Sequence, residues 1–410
     1  MSNRFWSNVA SVLSGTAVAQ AVPILGSLAL ARFYLPSAFG SYSVWVGVVL
    51  ILAVMATLRL EMALVVVEDG QPRRDAAQLV FVTVVLVALL GGAVLALLWT
   101  FGLMLADLRS PFLLGSAILA AAMTALSDSW QTWAAADGHY RALIRIRVVQ
   151  VIAIVGAQLG AVLVATTPEM LVVGHLLGLL GAICVAAWQL PMTFPPLRGL
   201  AHRLYAFWTS HSRFPLFALP ADSINSISAQ LPLMVVATRF GSESAGFLAL
   251  TMRVLGAPLA LLGRSVLDVF RRHAADAFRR KGDCRSEYLS TFRILLAGSL
   301  VFVVGTIFLA QPIFEIGFGS KWAMAGVMAM WLAPLFALRF VASPLSYVFY
   351  IVGRQNVDLV WQIGLISVVI GALWLPATLQ ETLLAYTYGY SAMYVIYLGI
   401  SYHYSKGRHA

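Results

Sequence analysis

Among the ionisable residues inside otherwise apolar stretches of this 410-residue chain, eight stand out: Arg59, Glu61, Asp128, Asp222, Arg253, Arg264, Asp268 and Arg339. A charged side chain in apolar surroundings costs several kcal/mol unless it meets a partner or a polar cavity, so these positions are where function is to be sought. Spacing sorts them. Arg264 and Asp268 stand four apart on one helical face and can pair with each other, and Arg59 and Glu61 stand two apart. Arg253 and Arg339 have no acid three or four positions away. A planar guanidinium suits bidentate recognition of phosphate, which makes these two the leading candidates for contacting an anionic ligand. The alternative for them is a buried pair with Asp128 or Asp222, which otherwise read as a structural pair or helix cap. Gln20, Asn225 and Gln230 add amides that can meet hydroxyl groups or bond between helices. Arg32 falls at a helix end, where it anchors at lipid headgroups or touches substrate.

Covalent chemistry finds no such support. The sequence has no Gly-x-x-x-x-Gly-Lys phosphate loop, no His, Cys and carboxylate grouping with metal-ligand spacing, and no Ser, His and Asp grouping that stands out. No cofactor, metal or catalytic residue is implied. Cys184 lies in an apolar run and Cys284 in a basic loop.

The elements that position these residues are membrane-spanning helices. Hydrophobic residues make up 60% of the chain and charged residues 11%, where a soluble domain carries roughly 25% charge. That excludes a water-soluble globular protein, a disordered chain and a disulfide-stapled secreted domain. Twelve apolar runs follow one another: Val9–Leu30, Tyr42–Val66, Leu79–Phe101, Phe112–Trp133, Val148–Ala165, Met170–Leu190, Phe214–Val236, Gly246–Phe270, Thr291–Ala310, Val327–Tyr350, Val357–Thr378 and Leu383–Tyr404. They are continuously apolar and too long for barrel strands. The first could be a signal peptide ending at Ala29-Leu30-Ala31. Its length, with Gln20 and Pro23 inside it, favours a retained span.

The net charge of +10 is chiefly an orientation signal. With the N-terminus, alternate loops and the C-terminus on one side, that side holds nineteen Lys and Arg residues against four opposite. Both termini are therefore expected in the cytoplasm. No nucleic-acid partner is needed to explain the charge. The run from Arg271 to Lys281 reads as an interfacial helix touching anionic lipid of the cytoplasmic leaflet, or docking a partner enzyme. At 1.5 Å per residue Arg59 and Glu61 lie roughly 25 Å from the outer end of their span, and Arg253 roughly 10 Å inside the outer face.

A basic, proline-bearing linker over residues 191–212 divides the chain into two sets of six spans, 1–190 and 213–410. A loose repeat supports the division. Ala19-Gln20 and Pro23 precede Arg32-Phe33 and Ala38-Phe39-Gly40, and Ala229-Gln230 and Pro232 precede Arg239-Phe240 and Ala245-Gly246. Pro23, Pro232 and Pro258 can loosen helices for rocking. Gly156-x-x-x-Gly160 and Gly174-x-x-x-Gly178 are expected to be helix-packing stripes, and His175 a bundle histidine.

Ordered along these spans, Ser14-Gly15-Thr16, Ala31-Arg32-Phe33-Tyr34-Leu35-Pro36, Phe39-Gly40, Thr57-Leu58-Arg59-Leu60-Glu61-Met62-Ala63, Arg253-Val254-Leu255-Gly256-Ala257-Pro258, Phe318-Gly319 with Trp322 and Ala325-Gly326, and Ser343-Pro344-Leu345 carry a resemblance. The sequence resembles the polysaccharide and O-antigen flippases, of the superfamily that also holds the multidrug and toxin extrusion proteins. Leu60 departs from that pattern, which has an aromatic there. The resemblance implies an all-α integral membrane protein of about twelve helices, in two six-helix bundles related by a parallel repeat around a central cavity. It also implies translocation of a polyprenyl-diphosphate-linked oligosaccharide across the bacterial cytoplasmic membrane, for surface polysaccharide and lipopolysaccharide assembly. The alternatives are an ion-coupled exporter of small cationic molecules and an integral-membrane glycosyltransferase or polymerase.

Overall fold

The computed structural model describes residues 22–101, 111–193, 196 and 198–407, the side chains at 95, 98, 99, 260, 261, 264, 265, 268 and 355 excepted. Helices dominate, and among the described residues there is no strand. In chain order they are α1 (Val22–Phe33), α2 (Pro36–Ala56), α3 (Ala63–Val66), α4 (Gln71–Thr100), α5 (Pro111–Ala136), α6 (Tyr140–Ala161), α7 (Pro168–Gln189), α8 (Leu200–Ser210), α9 (Leu219–Lys281), α10 (Arg285–Phe318), α11 (Ala323–Leu345), α12 (Val348–Ile351), α13 (Gln355–Trp374) and α14 (Leu379–Ser405). Each expected apolar run falls on these helices, the first only through its described end in α1, and Tyr42–Val66 and Val327–Tyr350 each across two of them. Among the described residues nine segments are long and apolar enough to cross a membrane. α14 adds a 27-residue helix whose hydropathy is lowered by seven tyrosines; at 1.5 Å per residue it also reaches across a bilayer.

Local chemistry sets the helix ends. α2 and α7 begin with Pro36 and Pro168 in the first turn, where a missing N–H costs nothing. Thr378 and Glu381 form a reciprocal capping box at the start of α14, each side chain 3.2 Å from the other's backbone nitrogen. Within α9, Gly241 has φ 85° and ψ 168°, a conformation open essentially to glycine alone, and splits the long helix between the seventh and eighth expected runs.

The chain forms two compact units whose boundary falls between Gly246 and Phe247. In the first, α2, α5 and α7 pack around Tyr42, Trp45, Ala117, Ala121, Leu171 and Leu179. His175 is a bundle residue, its Nδ1 2.8 Å from the Tyr42 hydroxyl and its ring edge-on to Trp45. Gly174 and Gly178 bring α7 onto the α6 backbone at Gln158 and Ile154, where a Cβ would collide. Gly156 and Gly160 correct the expectation, because a Cβ on either meets open space. The face of α6 that packs is set by the Ile154 and Gln158 positions instead. The linker contains α8, which buries Leu204 and Phe207, and the adjacent Trp208 indole donates to Thr83 of α4 at 2.9 Å. In the second unit α11 packs against α10 and α14. There Tyr288 of α10 binds Ser401 and the Leu398 carbonyl of α14 at 2.7 and 3.0 Å.

Outward faces carry bare hydrocarbon: Leu89 and Leu90 of α4, and Val301, Phe308 and Ile316 of α10 are more than half exposed. Such faces suit lipid rather than water, and the chain is a multi-pass membrane protein.

Candidate functional site: a polar pocket at a broken helix

The sequence predicts an unbroken span from Tyr42 to Val66. The structure breaks it. α2 stops at Ala56, Leu58 and Arg59 take left-handed φ values of 48° and 58°, and the chain resumes as a 3-10 turn over Leu60–Met62 and then α3. Left-handed backbone costs a side chain-bearing residue about 1–2 kcal/mol, so something must hold it. Thr57 is one restraint: its hydroxyl donates to the Val54 carbonyl and accepts from the Arg59 N–H, at 3.2 and 3.1 Å. Leu60, Ala63 and Leu64 are the other, fully buried beside Val80, Trp133 and Ile146. The freed backbone is satisfied locally, as hydrocarbon demands, by Leu58 N–H to Met55 O, Leu60 N–H to Thr57 O and Met62 N–H to Arg59 O, at 3.0–3.2 Å.

The break aims a cation and an acid at neighbouring helices. Arg59 Nη1 donates to Glu61 Oε1 at 2.8 Å, and its Nε lies 2.7 Å from Asp222 Oδ2 on the first turn of α9. Asp222 is thus a pairing residue of this cluster, as expected of it. The three line a pocket of about 640 Å³ with Asp128 and Gln131 of α5, Arg147 of α6, and Asn225, Ser226 and Gln230 of α9. Arg147 donates through Nε to Gln131 Oε1 at 2.9 Å. The Gln131 amide nitrogen continues the chain to Gln150 Oε1 and Ser127 Oγ, at 3.1 and 3.3 Å. Asp128 is exposed to the pocket, within electrostatic reach of Glu61, Arg147 and Arg59. Gly47 leaves room for Gln230: a Cβ there would press within 3.2 Å of the amide oxygen.

One pocket therefore gathers Arg59, Glu61, Asn225 and Gln230 from the sequence-derived candidates, together with Asp128 and Asp222. Arg339 lies elsewhere, in the second unit, where it lines a cavity of about 390 Å³ with Phe336, Phe340 and Ser343 of its own helix and Gly256 and Gly263 of α9. Its guanidinium is within electrostatic reach of Tyr386, Tyr390 and Tyr394, whose rings follow one another along α14 at 5.5 and 5.0 Å. Arg253 is half-buried on α9, and Arg32 is exposed in the last turn of α1, where a cation complements the helix dipole. Gln20 lies outside the described residues, as do the side chains of Arg264 and Asp268.

Sequence reasoning missed Arg147, Gln131 and the helix break. Arg147 was indistinguishable from its neighbours Arg141 and Arg145, all counted as loop charge. Its available signal was position, since it stands two turns inside α6 with Gln150 one turn further on. Arg293, exposed two turns inside α10, was also passed over.

Comparison with known proteins gives these observations a setting. Among solved structures the fold is similar to the lipid II flippase MurJ in an inward closed conformation, at TM-score 0.71 and 13% identity over 95% of this chain and 87% of that one. It is similar also to an inward-facing multidrug resistance MATE family transporter of the MOP superfamily, at TM-score 0.66 and 13% identity over 93% of each chain. A MOP superfamily transporter from Pyrococcus furiosus matches at TM-score 0.51 and 12% identity, over 96% of this chain and 93% of that one. No curated protein sequence matches the chain. Residues 29–326 match the polysaccharide biosynthesis protein family, Polysacc_synt_3, and with nearly three quarters of its length inside that match the chain belongs to this family.

Proposed function

We propose that this protein is a flippase that moves a polyprenyl-diphosphate-linked oligosaccharide across the bacterial cytoplasmic membrane by alternating access, for surface polysaccharide assembly. The single observation that carries this is the unit-one pocket: hydrogen-bonding side chains from the break after α2 and from α5, α6 and α9, gathered within membrane-spanning helices of a polysaccharide biosynthesis family member. A sugar headgroup crossing hydrocarbon unaided leaves its hydroxyls without partners, at several kcal/mol each. A polar pocket removes that barrier, and no bond of the substrate need change. Arg253 and Arg339 are assigned to the anionic part of the head, and both termini to the cytoplasm. The run from Arg271 to Lys281, helical within α9, is assigned to anionic lipid or a partner enzyme.

The test is deletion, followed by assay of lipid-linked repeat units on each membrane face. Accumulation on the cytoplasmic face is expected, and Arg253→Ala should lower surface glycan with membrane abundance unchanged. One observation favours a second function, export of small cations: the pocket holds three carboxylates, Glu61, Asp128 and Asp222, against two guanidinium groups. Drug resistance on expression, with glycan display intact in the deletion strain, would establish the exporter instead.

A further inference from the structure

We propose that the unit-one pocket binds the uncharged, hydroxyl-bearing sugar portion of the lipid-linked substrate and excludes its diphosphate. This rests on the flippase function above and divides the substrate's headgroup chemistry. The cations of the pocket are already compensated. Arg59 is ion-paired with both Glu61 and Asp222, and Arg147, its Nε given to the neutral Gln131, stands within electrostatic reach of Asp128. With the Asp128 carboxylate open to the cavity, the five charges sum to one negative. A diphosphate entering here would meet a pocket of net negative charge in a low-dielectric surrounding, where like charges repel strongly.

A pyranose meets the opposite situation. Each hydroxyl is donor and acceptor at once. The Asp128 carboxylate accepts from it, and the exposed Asn225 amide, with Ser226 beside it, can accept or donate. Hydrogen bonds to a charged acceptor are the stronger kind, and a neutral donor supplies them without charge repulsion. The volume of about 640 Å³ lies within the usual range for sites of small molecules, about 300–1,000 Å³. The pairing network also stiffens the cavity wall, since Arg59, Gln131 and Arg147 are each tied to a neighbouring element.

The experiment is isothermal titration of the detergent-solubilised full chain with two probes. One is the lipid-linked glycan extracted from a deletion strain, the other undecaprenyl diphosphate without sugar. Asp128→Asn keeps size and removes charge, so the two assignments predict opposite signs. If the pocket holds sugar, the glycan-bearing lipid binds about tenfold more weakly, while binding of the bare diphosphate is not weakened. Asn225→Ala, on another helix and neutral throughout, should weaken only the glycan-bearing lipid, by several-fold. Tighter binding of the glycan-bearing lipid to Asp128→Asn overturns the assignment, as does an equal loss for both probes or no loss for either. Failure of the wild-type chain to bind either lipid removes the flippase function itself, an outcome distinct from the others.

Discussion

Arg73 shows what a single side chain does for the pocket without touching it. It is 5% exposed and spends its guanidinium on the ends of two elements. Nε donates to Leu64 O at 2.8 Å, Nη2 to Val67 O at 2.9 Å, and Nη1 to Ala136 O at 3.1 Å and Asp137 Oδ1 at 2.6 Å. The exit of the broken helix is thereby tied to the end of α5, which carries Asp128 and Gln131. Asp69, at 2.5 Å but largely exposed, adds little. Arg73→Gln strands Asp137 and three carbonyls, so it should destabilise the protein by about 3 kcal/mol or more, and Arg73→Lys should rescue it poorly because the fork is lost. Thermal unfolding in detergent measures both, and a melting temperature unchanged in Arg73→Gln would refute the staple. Counting Arg73 as loop charge registers its side of the membrane, but a count of charges cannot see carbonyl partners supplied by residues sixty positions away. Cys284 gives a second residue-scale test. Burial, then Glu287 and Asp283, push its thiol up to about 12. Three units below that, at pH 9, only about a thousandth is thiolate. Maleimide labelling of the folded protein at Cys284 should therefore stay slow from pH 7 to 9 and become fast only on unfolding.

At the scale of elements, run length and unbroken apolarity were enough to place the helices, because a span must satisfy its own backbone and only a helix does so alone. The breaks at Thr166–Glu169 and Leu379–Thr382 fall where the structure begins α7 and α14. The interruption at Leu58 and Arg59 was not legible, since Thr, Leu and Arg all tolerate a helix. What decides it is tertiary: the Thr57 hydroxyl and the burial of Leu60 and Leu64. That cause gives a test by substitution order. In a continuous helix glycine is worse than alanine by about 1 kcal/mol. At a left-handed position the order reverses, because only glycine escapes the Cβ clash. Leu58→Gly should therefore be more stable than Leu58→Ala by about 1 kcal/mol, both being weaker than wild type through lost packing. Alanine proving the better residue in chemical or thermal melts would mean that the span is continuous. A close crossing makes a second element-scale point. Gly40 and Gly246, which occupy matching places in the loose repeat, abut each other, and a Cβ on either would run into the other's helix backbone. Gly40→Val should accordingly lower folded yield in membranes.

For the molecule as a whole, the property to test is orientation, which rests on nineteen Lys and Arg residues on one side against four on the other. The positive-inside rule weighs charges near span ends in short loops, and those of this chain fit that condition. The bias is also distributed. Six of the nineteen lie between the eighth and ninth apolar runs, and their loss would still leave thirteen against four. A single mislocated helix, in contrast, would invert every loop that follows it, so orientation is a property of the full set of spans. With Cys184 and Cys284 replaced by alanine, a cysteine at Arg280 should react with a membrane-impermeant maleimide only after the cytoplasmic face is opened. A cysteine at Thr166, in the short connection between α6 and α7, should react in intact spheroplasts. The two sites lie on opposite sides only if an odd number of spans separates them, and the apolar runs between Thr166 and Arg280 number three. Both sites labelling from the same side would overturn the span count and, with it, the depths assigned to Arg59, Glu61 and Arg253. Opposite labelling fixes the pocket in the inner half of the membrane, the side from which the proposed flippase takes up its substrate.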